Sequence, residues 1–252
     1  MLNILKKINI ISFLELESTN NYAKELISKD NPVEWTIINA DFQTAGRGQQ
    51  GNSWESQASE NLTFSIILKP VFLHPSQQFK LNKAVSLGIS DFLKKYNIDN
   101  VKIKWPNDIY VDNNKIAGVL IENTIIGSEY SYCIIGIGIN INQLNCSTNI
   151  KNFTSLRKIT RKYYYNNKCL NDLLICIYSR YLKLIDNPEI IDSDYYENLY
   201  LLGKTKKFII NNKNIEATIT GVNEYGMLLL KTQDNKEFCC NFKEIVFTDF
   251  GS

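Results

Sequence analysis

A chain of 252 residues, 44% hydrophobic and 21% charged, has enough apolar material for one large domain, or a large domain with a small companion. Its net charge of +2 excludes the electrostatic footprint of a dedicated nucleic-acid binder, while leaving local basic sites open. Six cysteines without a C-x-x-C pair and a single histidine, His74, argue against a zinc ribbon, a multi-histidine metal centre and a Ser-His-Asp triad.

Ile8 to Leu16 is rich in Ile, Phe and Leu and predicts a strand. Ser18 or Thr19 then caps a helix with Tyr22, Ala23, Leu26 and Ile27 on one face, closed by Asn31-Pro32. Trp35 to Asp41 predicts a second strand. The loop Gln43 to Trp54, QTAGRGQQGNSW, follows, with three glycines around Arg47. Leu62, Phe64, Ile66 and Leu68 alternate and predict a third strand, and Ser76 to Tyr96 a long helix weakened at Gly88. Val101 to Ile103 begins a strand that runs into Lys104-Trp105-Pro106-Asn107-Asp108. Ile109 to Val111 and Ile116 to Ile126 pair around the turn Asp112 to Lys115.

Tyr130 to Asn142 is a further strand, whose Gly136 and Gly138 let something approach the sheet closely. It lacks the third glycine and following helix of a dinucleotide fingerprint. Gln143 to Thr154 reads as a loop, and Asn171 to Ile185 and Asp194 to Leu202 as helices. After a boundary near Tyr200 to Gly203, short strand-like runs suggest a small barrel. The start of the chain lacks a signal peptide's long apolar run, no stretch approaches a membrane span, and the cysteines suit a reduced, cytoplasmic compartment.

Four polar clusters therefore fall at strand ends or turns: Ser18-Thr19-Asn20, the loop Gln43 to Trp54, Lys104 to Asp108 with Lys115, and Gly138 to Asn140. Each has an ordinary reading alone: a helix cap, a surface loop, core tryptophans at Trp54 and Trp105, a turn-forming Asp108. Together they hold amides and hydroxyls for a neutral polar head group. Arg47, Lys104 and Lys115 offer cations for phosphates, and Asp108 a carboxylate for Mg²⁺ or for orienting a cation. No nucleophile is paired with a base. The set suits positioning and charge stabilisation in phosphoryl or nucleotidyl transfer.

The motifs ESTN, GRG followed by a tryptophan, KWPNDIYV, KIAGVLIE and IGIGIN, in this order, resemble those of the biotin–protein ligases, from about Leu14 to Asn142. LGKTKKF, GVNEYGMLLL and FKEI resemble that family's C-terminal domain. The resemblance implies an α/β (α+β) fold: a mixed, mostly antiparallel sheet with flanking helices, class II aminoacyl-tRNA-synthetase-like, over residues 1–202. A small SH3-like β-barrel would occupy residues 203–252. It also implies that biotin and ATP, with Mg²⁺, give biotinyl-5′-AMP. A lysine of a biotin carboxyl carrier protein, an acetyl-CoA carboxylase subunit, would then take the biotin.

On the same resemblance Ser18, Thr19, Asn20 and Gln43 bind biotin's ureido ring and its surroundings. Arg47, Gly48 and Gln49 belong to a loop that closes over biotin and the adenylate. Lys115 contacts the biotin carboxylate and the α-phosphate, and Trp54 packs near the adenine. Lys104, Asn107 and Asp108 serve the phosphates and metal, and Asn140 the nucleotide. Lys115, Arg47 and Asp108 are the catalytic candidates.

Many members of that family carry GRGRRGR in the loop, where this chain has Gln49, Gln50 and Asn52. Each missing guanidinium removes a fixed charge, which predicts weaker retention of biotinyl-AMP or heavier dependence on Arg47 and Lys115. The loop has few apolar residues to dock it and is expected to be a lid, disordered without ligand. The catalytic motif begins at Glu17, which leaves no room for a helix-turn-helix domain and predicts no DNA binding. Lipoate–protein ligation and a non-catalytic biotin or nucleotide sensor stay open as alternatives, as do monomer and homodimer.

Overall fold

The structure, a computed structural model, describes residues 8–127, 129–146 and 152–248. Its larger sheet holds β1 (Asn9–Leu16), β2 (Thr36–Gln43), β3 (Asn61–Leu68), β4 (Val101–Lys104), β5 (Asp108–Val111), β6 (Asn114–Ile126) and β7 (Glu129–Asn140). The spatial order is β1-β2-β3-β7-β6-β5-β4. Only the β1–β2 pair is parallel, because helix α1 (Thr19–Asp30) forms the crossover between them. Asp112 and Asn113, both at positive φ, make the tight turn between β5 and β6.

The sheet is covered on both faces. Ala23 of α1 packs with Ile38, Ile67, Tyr132 and Ile134 on one side. Ile37, Phe64, Ile66 and Ile135 face the other way, into a core shared with α2 (Gln78–Lys95), α4 (Asn166–Asp186) and α5 (Pro188–Asn198). Between β7 and α4 lies a short helix, α3 (Leu156–Thr160), which the residue pattern did not predict. All eight residues of β3 are buried, Thr63 and Ser65 included. Their alternation with apolar neighbours thus separates two buried faces, one apolar and one lined with polar groups.

Three sequence expectations need correction. The helix expected over Asp194 to Leu202 is α5, which starts at Pro188 because the Asn187 side chain caps Ile190 and proline fits the first turn. The helix expected from Asn171 begins five residues earlier, at Asn166. The C-terminal strands β8 (Thr205–Ile210), β9 (Lys213–Val222), β10 (Leu228–Lys231), β11 (Glu237–Cys240) and β12 (Ile245–Phe247) form an open sheet, ordered β11-β10-β9-β8-β12, and not a closed barrel. Its edge strands β11 and β12 do not pair, and β12 lines a cavity against the larger sheet.

The smaller sheet is tied to the larger one. Trp105 Nε1 donates to the Gly226 carbonyl at 2.7 Å, and Tyr196 Oη to that of Val222 at 2.7 Å. Arg180 of α4 joins three helices through ion pairs to Asp91 of α2 and Asp194 of α5.

Helices α2 and α4 touch at Gly88, where an added Cβ would lie 2.7 Å from Ile177 Cα. Overpacking typically costs about 1–3 kcal/mol, against roughly 1 kcal/mol gained when alanine replaces a helical glycine. Gly88→Ala is therefore expected to lower stability by up to about 2 kcal/mol. Equal midpoints for variant and wild type in urea would show that the helices separate without cost.

Candidate active site

Register builds the site. Thr63 pairs with Gly138, Gly138 with Gly118, and Gly118 with Asp108, which in turn pairs with Lys104. This row crosses β3, β7, β6, β5 and β4 on one level, with two glycines at its centre. The Trp54 ring lies on them: a Cβ on Gly138 would sit 2.2 Å from Trp54 Cε2, and one on Gly118 3.3 Å from Cζ3. A cavity of 410 Å³ opens here between the sheet, the loop through Arg47 and Trp54, and β12. That is the size of an ordinary small-molecule site.

One end is a chain of neutral polar groups. Ser18 caps α1. The Thr19 backbone N–H and hydroxyl both donate to Gln43 Oε1, at 2.8 and 3.1 Å. Ser65 Oγ lies 2.7 Å from Thr19 Oγ1 and 2.6 Å from Asn20 Oδ1. Asn20 Nδ2 donates to Glu122 Oε2 at 2.8 Å. Asn20 fits only because residue 136 is glycine, where a Cβ would fall 2.4 Å from Asn20 Oδ1.

Glu122 is the hub of this end. It accepts from Lys24 at 2.6 Å and from both terminal nitrogens of Arg47 at 3.0 and 3.1 Å. Burial alone would raise its pKa. Hydrogen bonds from Lys24 and Asn20, with the charges of Arg47 and Lys24, outweigh that and hold it below the usual value. Arg47 also donates to Asn21 Oδ1 at 2.9 Å.

These contacts bear on the loop. It was expected to lack docking contacts, having few apolar residues, but an ion pair and one large ring dock it. Arg47 is fastened to Glu122, Trp54 lies on the glycines, and an Arg47–Ser53 bridge closes the loop on itself around a 3₁₀ turn at Gln49–Gly51.

The other end is cationic. Lys115 Nζ lies 2.7 Å from Asp108 Oδ1 and 5.6 Å from the Trp54 ring centroid. Lys104 Nζ sits between the rings of Tyr110 and Phe247, at 5.2 and 5.0 Å. Desolvation pushes the Lys104 pKa down to about 8, with Asp108 opposing and Lys115 adding to the shift. Trp54 Nε1 is buried without a hydrogen-bond partner among the described residues. Gly48, Gln49 and Asn107 also line the cavity, and Asn107 Nδ2 donates to the Val119 carbonyl at 2.6 Å.

The expected site residues thus converge, with one exception. Asn140 does not line the cavity; its Nδ2 donates to the Thr154 carbonyl at 3.0 Å and holds the next segment in place. Trp105, expected in the core, is buried but also forms part of the wall. Four residues were missed. Ser65 had a signal, being polar inside an apolar strand, and Glu122 stood inside a quoted motif. Lys243 and Phe247 reach the cavity from the smaller sheet; Lys243 stood inside the quoted FKEI motif, and Phe247 had no signal. No group of three or more His, Cys, Asp and Glu residues is placed to hold a metal among the described residues. Nor, among them, is any helix long and apolar enough to cross a membrane.

This cavity suits a ligand with an uncharged polar head and an anionic tail. The cationic end can bring two anions together. Against known proteins, residues 13–140 match the model of the biotin/lipoate A/B protein ligase family. The bifunctional ligase/repressor BirA of Bacillus spizizenii is 30% identical over 224 residues, covering 87% of this chain and 68% of that protein. BirA of Escherichia coli is 27% identical over 220 residues, covering 86% and 67%. The structure of the Aquifex aeolicus biotin protein ligase in complex with biotin and ATP superposes with a TM-score of 0.77 at 28% identity, covering 94% of this chain and 97% of that one.

Proposed function

Because the chain belongs to the biotin/lipoate A/B protein ligase family, we propose that it activates biotin with ATP and passes it to a lysine of a biotin carboxyl carrier protein. The enzyme is a biotin–protein ligase. The observation that carries the reaction is the two-ended cavity, with the hydrogen-bonded chain Gln43–Thr19–Ser65–Asn20 at one end and Lys115 beside Asp108 at the other.

Ser18, Thr19, Asn20 and Gln43 supply the donors and acceptors a ureido ring needs. Arg47 is committed to Glu122 and Asn21, so we assign it to holding the loop, with Gly48 and Gln49, over the bound biotin. Lys115 and Lys104 then face the carboxylate and the phosphates. A biotin carboxylate oxygen attacks the α-phosphorus, the bond to the bridging oxygen breaks, and pyrophosphate leaves. The two anions repel, and nearby cations in a water-poor site reduce that repulsion. In the second step a neutral lysine amine attacks the acyl carbon, AMP leaves, and the amine's proton is lost to solvent. The Trp54 ring offers a stacking surface for the adenine. Asp108 is a single carboxylate, which fits Mg²⁺ arriving with nucleotide phosphates better than a resident metal. Residues 203–252 are proposed to form a separate small domain that closes the nucleotide end, and the enzyme to work in the cytoplasm.

Two assays test this reading: biotin-dependent ATP–pyrophosphate exchange, and biotin transfer to a purified carrier domain, each run against lipoate. Exchange with lipoate and not biotin would move the chain to lipoate ligation. Neither exchange nor transfer would leave a sensor.

The Lys104 ammonium loses its proton as pH rises through about 8. Since kcat/KM reports groups of the free enzyme, kcat/KM for ATP is expected to fall above that pH. In Lys104→Arg, which keeps its charge, the fall should vanish. A matching fall in the arginine variant would assign the titration elsewhere. Gln49→Arg, which restores a loop cation, is expected to slow biotinyl-AMP release. An unchanged or faster off-rate would mean that the missing arginines do not weaken retention.

A further inference from the structure

We propose that the basic and aromatic surface of half-buried Arg157 and Lys158 with exposed Arg161, Lys162, Tyr163 and Tyr165 is where an acidic carrier domain docks to present its acceptor lysine. This rests on the ligase reading above and names the chemistry of its protein substrate. Four observations carry it.

The first is charge. From Tyr130 to Asn171 the chain has no Asp or Glu, and its cations are Lys151, Arg157, Lys158, Arg161, Lys162 and Lys168. This stretch alone more than supplies the chain's net +2. None of the four cations from Arg157 to Lys162 enters an ion pair among the described residues. A solvated basic stretch ordinarily carries interspersed acids, and this one has none in its own sequence.

The second is position. Phe153 pairs with Lys115: Lys115 N–H donates to the Asn152 carbonyl at 2.8 Å, and Thr154 N–H to that of Lys115 at 3.0 Å. Lys158 Nζ lies over the Phe153 ring at 4.9 Å. The basic surface therefore begins one paired segment, roughly 5 Å of strand spacing, from Lys115. A macromolecule that brings a lysine to that end must cover neighbouring surface.

The third is composition. Tyr163 and Tyr165 are 58% and 79% exposed, with rings 6.3 Å apart, and the Arg157 guanidinium sits 5.5 Å from the Tyr163 ring. Tyrosine and arginine are the residues that most often anchor protein interfaces. The fourth is backbone. Tyr164 is locked inward by Asn142, which accepts from its N–H at 2.9 Å and donates to its carbonyl at 2.8 Å. Arg161 occupies the left-handed helix-end position, φ 62°, that glycine fills most cheaply. The segment is a fixed platform with its tyrosines turned out.

A nucleic acid would also meet cations and tyrosines here. The small net charge of the whole chain and the adjacency to Lys115 favour a protein.

The test uses the full chain with Arg161→Glu and Lys162→Glu together, and a purified biotin carboxyl carrier domain of acidic pI as the probe. Charge reversal at a docking rim acts on encounter and salt dependence, so the KM for the carrier domain is expected to rise about tenfold. Biotin-dependent ATP–pyrophosphate exchange should be unchanged. The wild-type KM should climb between low and physiological salt while that of the variant stays flat, and Arg161→Lys should behave as wild type. An unchanged carrier KM with intact exchange overturns the proposal and leaves the ligase reading standing. A raised KM for ATP in the variant overturns it in favour of a nucleotide subsite. Loss of duplex DNA binding with intact transfer overturns it in favour of nucleic acid. A wild type without biotin-dependent exchange refutes the ligase reading and this surface with it.

Discussion

Replacing Lys115 with alanine is expected to lower kcat/KM for adenylate formation about a thousandfold while leaving the fold intact. The side chain is part-exposed at the cavity, paired with Asp108 at 2.7 Å, and packs beside Trp54 rather than in the core. The proposed reaction brings a carboxylate against a phosphate. One cation about 4 Å away, at an effective dielectric of about 20, is worth about 4 kcal/mol, or roughly a thousandfold in rate. The alanine variant also leaves Asp108 as a bare anion at the place where two more anions must meet. Lys115→Arg keeps the charge but not the compact ammonium and should recover only part of the rate. Single-turnover formation of biotinyl-AMP, measured beside a melting curve, reads this directly. A rate within tenfold of wild type, at wild-type stability, would remove Lys115 from the chemistry.

The second large effect lies at the opposite end. Glu122→Ala is expected to raise the KM for biotin by about ten- to a hundredfold with little change in the KM for ATP. Glu122 holds Asn20, Lys24 and Arg47 together, so its loss frees both the amide proposed to face the head group and the loop proposed to cover it. Asn20 is 3% exposed, and a buried amide left without its partner costs about 1–3 kcal/mol. Glu122→Gln keeps an acceptor for Asn20 but gives up the ion pairs, and should fall between. Faster release of biotinyl-AMP should accompany the change, since the Arg47 anchor is lost. An unchanged KM for biotin would show that the loop and Asn20 hold their places without the carboxylate.

These two residues differ in how legible they were. Lys115 stands in a motif beside a hydrophilic turn; its charge suggested a phosphate contact, and the family resemblance implied the role proposed for it. Glu122 stands in the same motif, yet it looks like any polar residue on a strand. Its importance comes from contacts 75 to 102 residues away in sequence, with Arg47 and Asn20. Ser65 is similar: the hydroxyl was visible, but not that it faces a second buried surface. Loop order shows the same limit. Counting apolar residues in Gln43 to Trp54 predicts a segment with nothing to dock it. The glycines on which Trp54 rests belong to β6 and β7, far along the chain.

The sequence by itself determined the strands, the Ser18 cap, the glycines and the polar clusters, because propensity, periodicity and turn chemistry act over a few neighbouring residues. It also carried the family resemblance from Leu14 to Asn142. Only the tertiary structure decided that Thr63, Gly138, Gly118, Asp108 and Lys104 form one row, since strand register is a long-range property. It alone showed Arg47 held by Glu122, and the C-terminal strands left open with β12 against the cavity. Those outcomes depend on which groups meet after the chain has folded, and ion pairs and edge pairing between distant residues leave no local mark in the sequence.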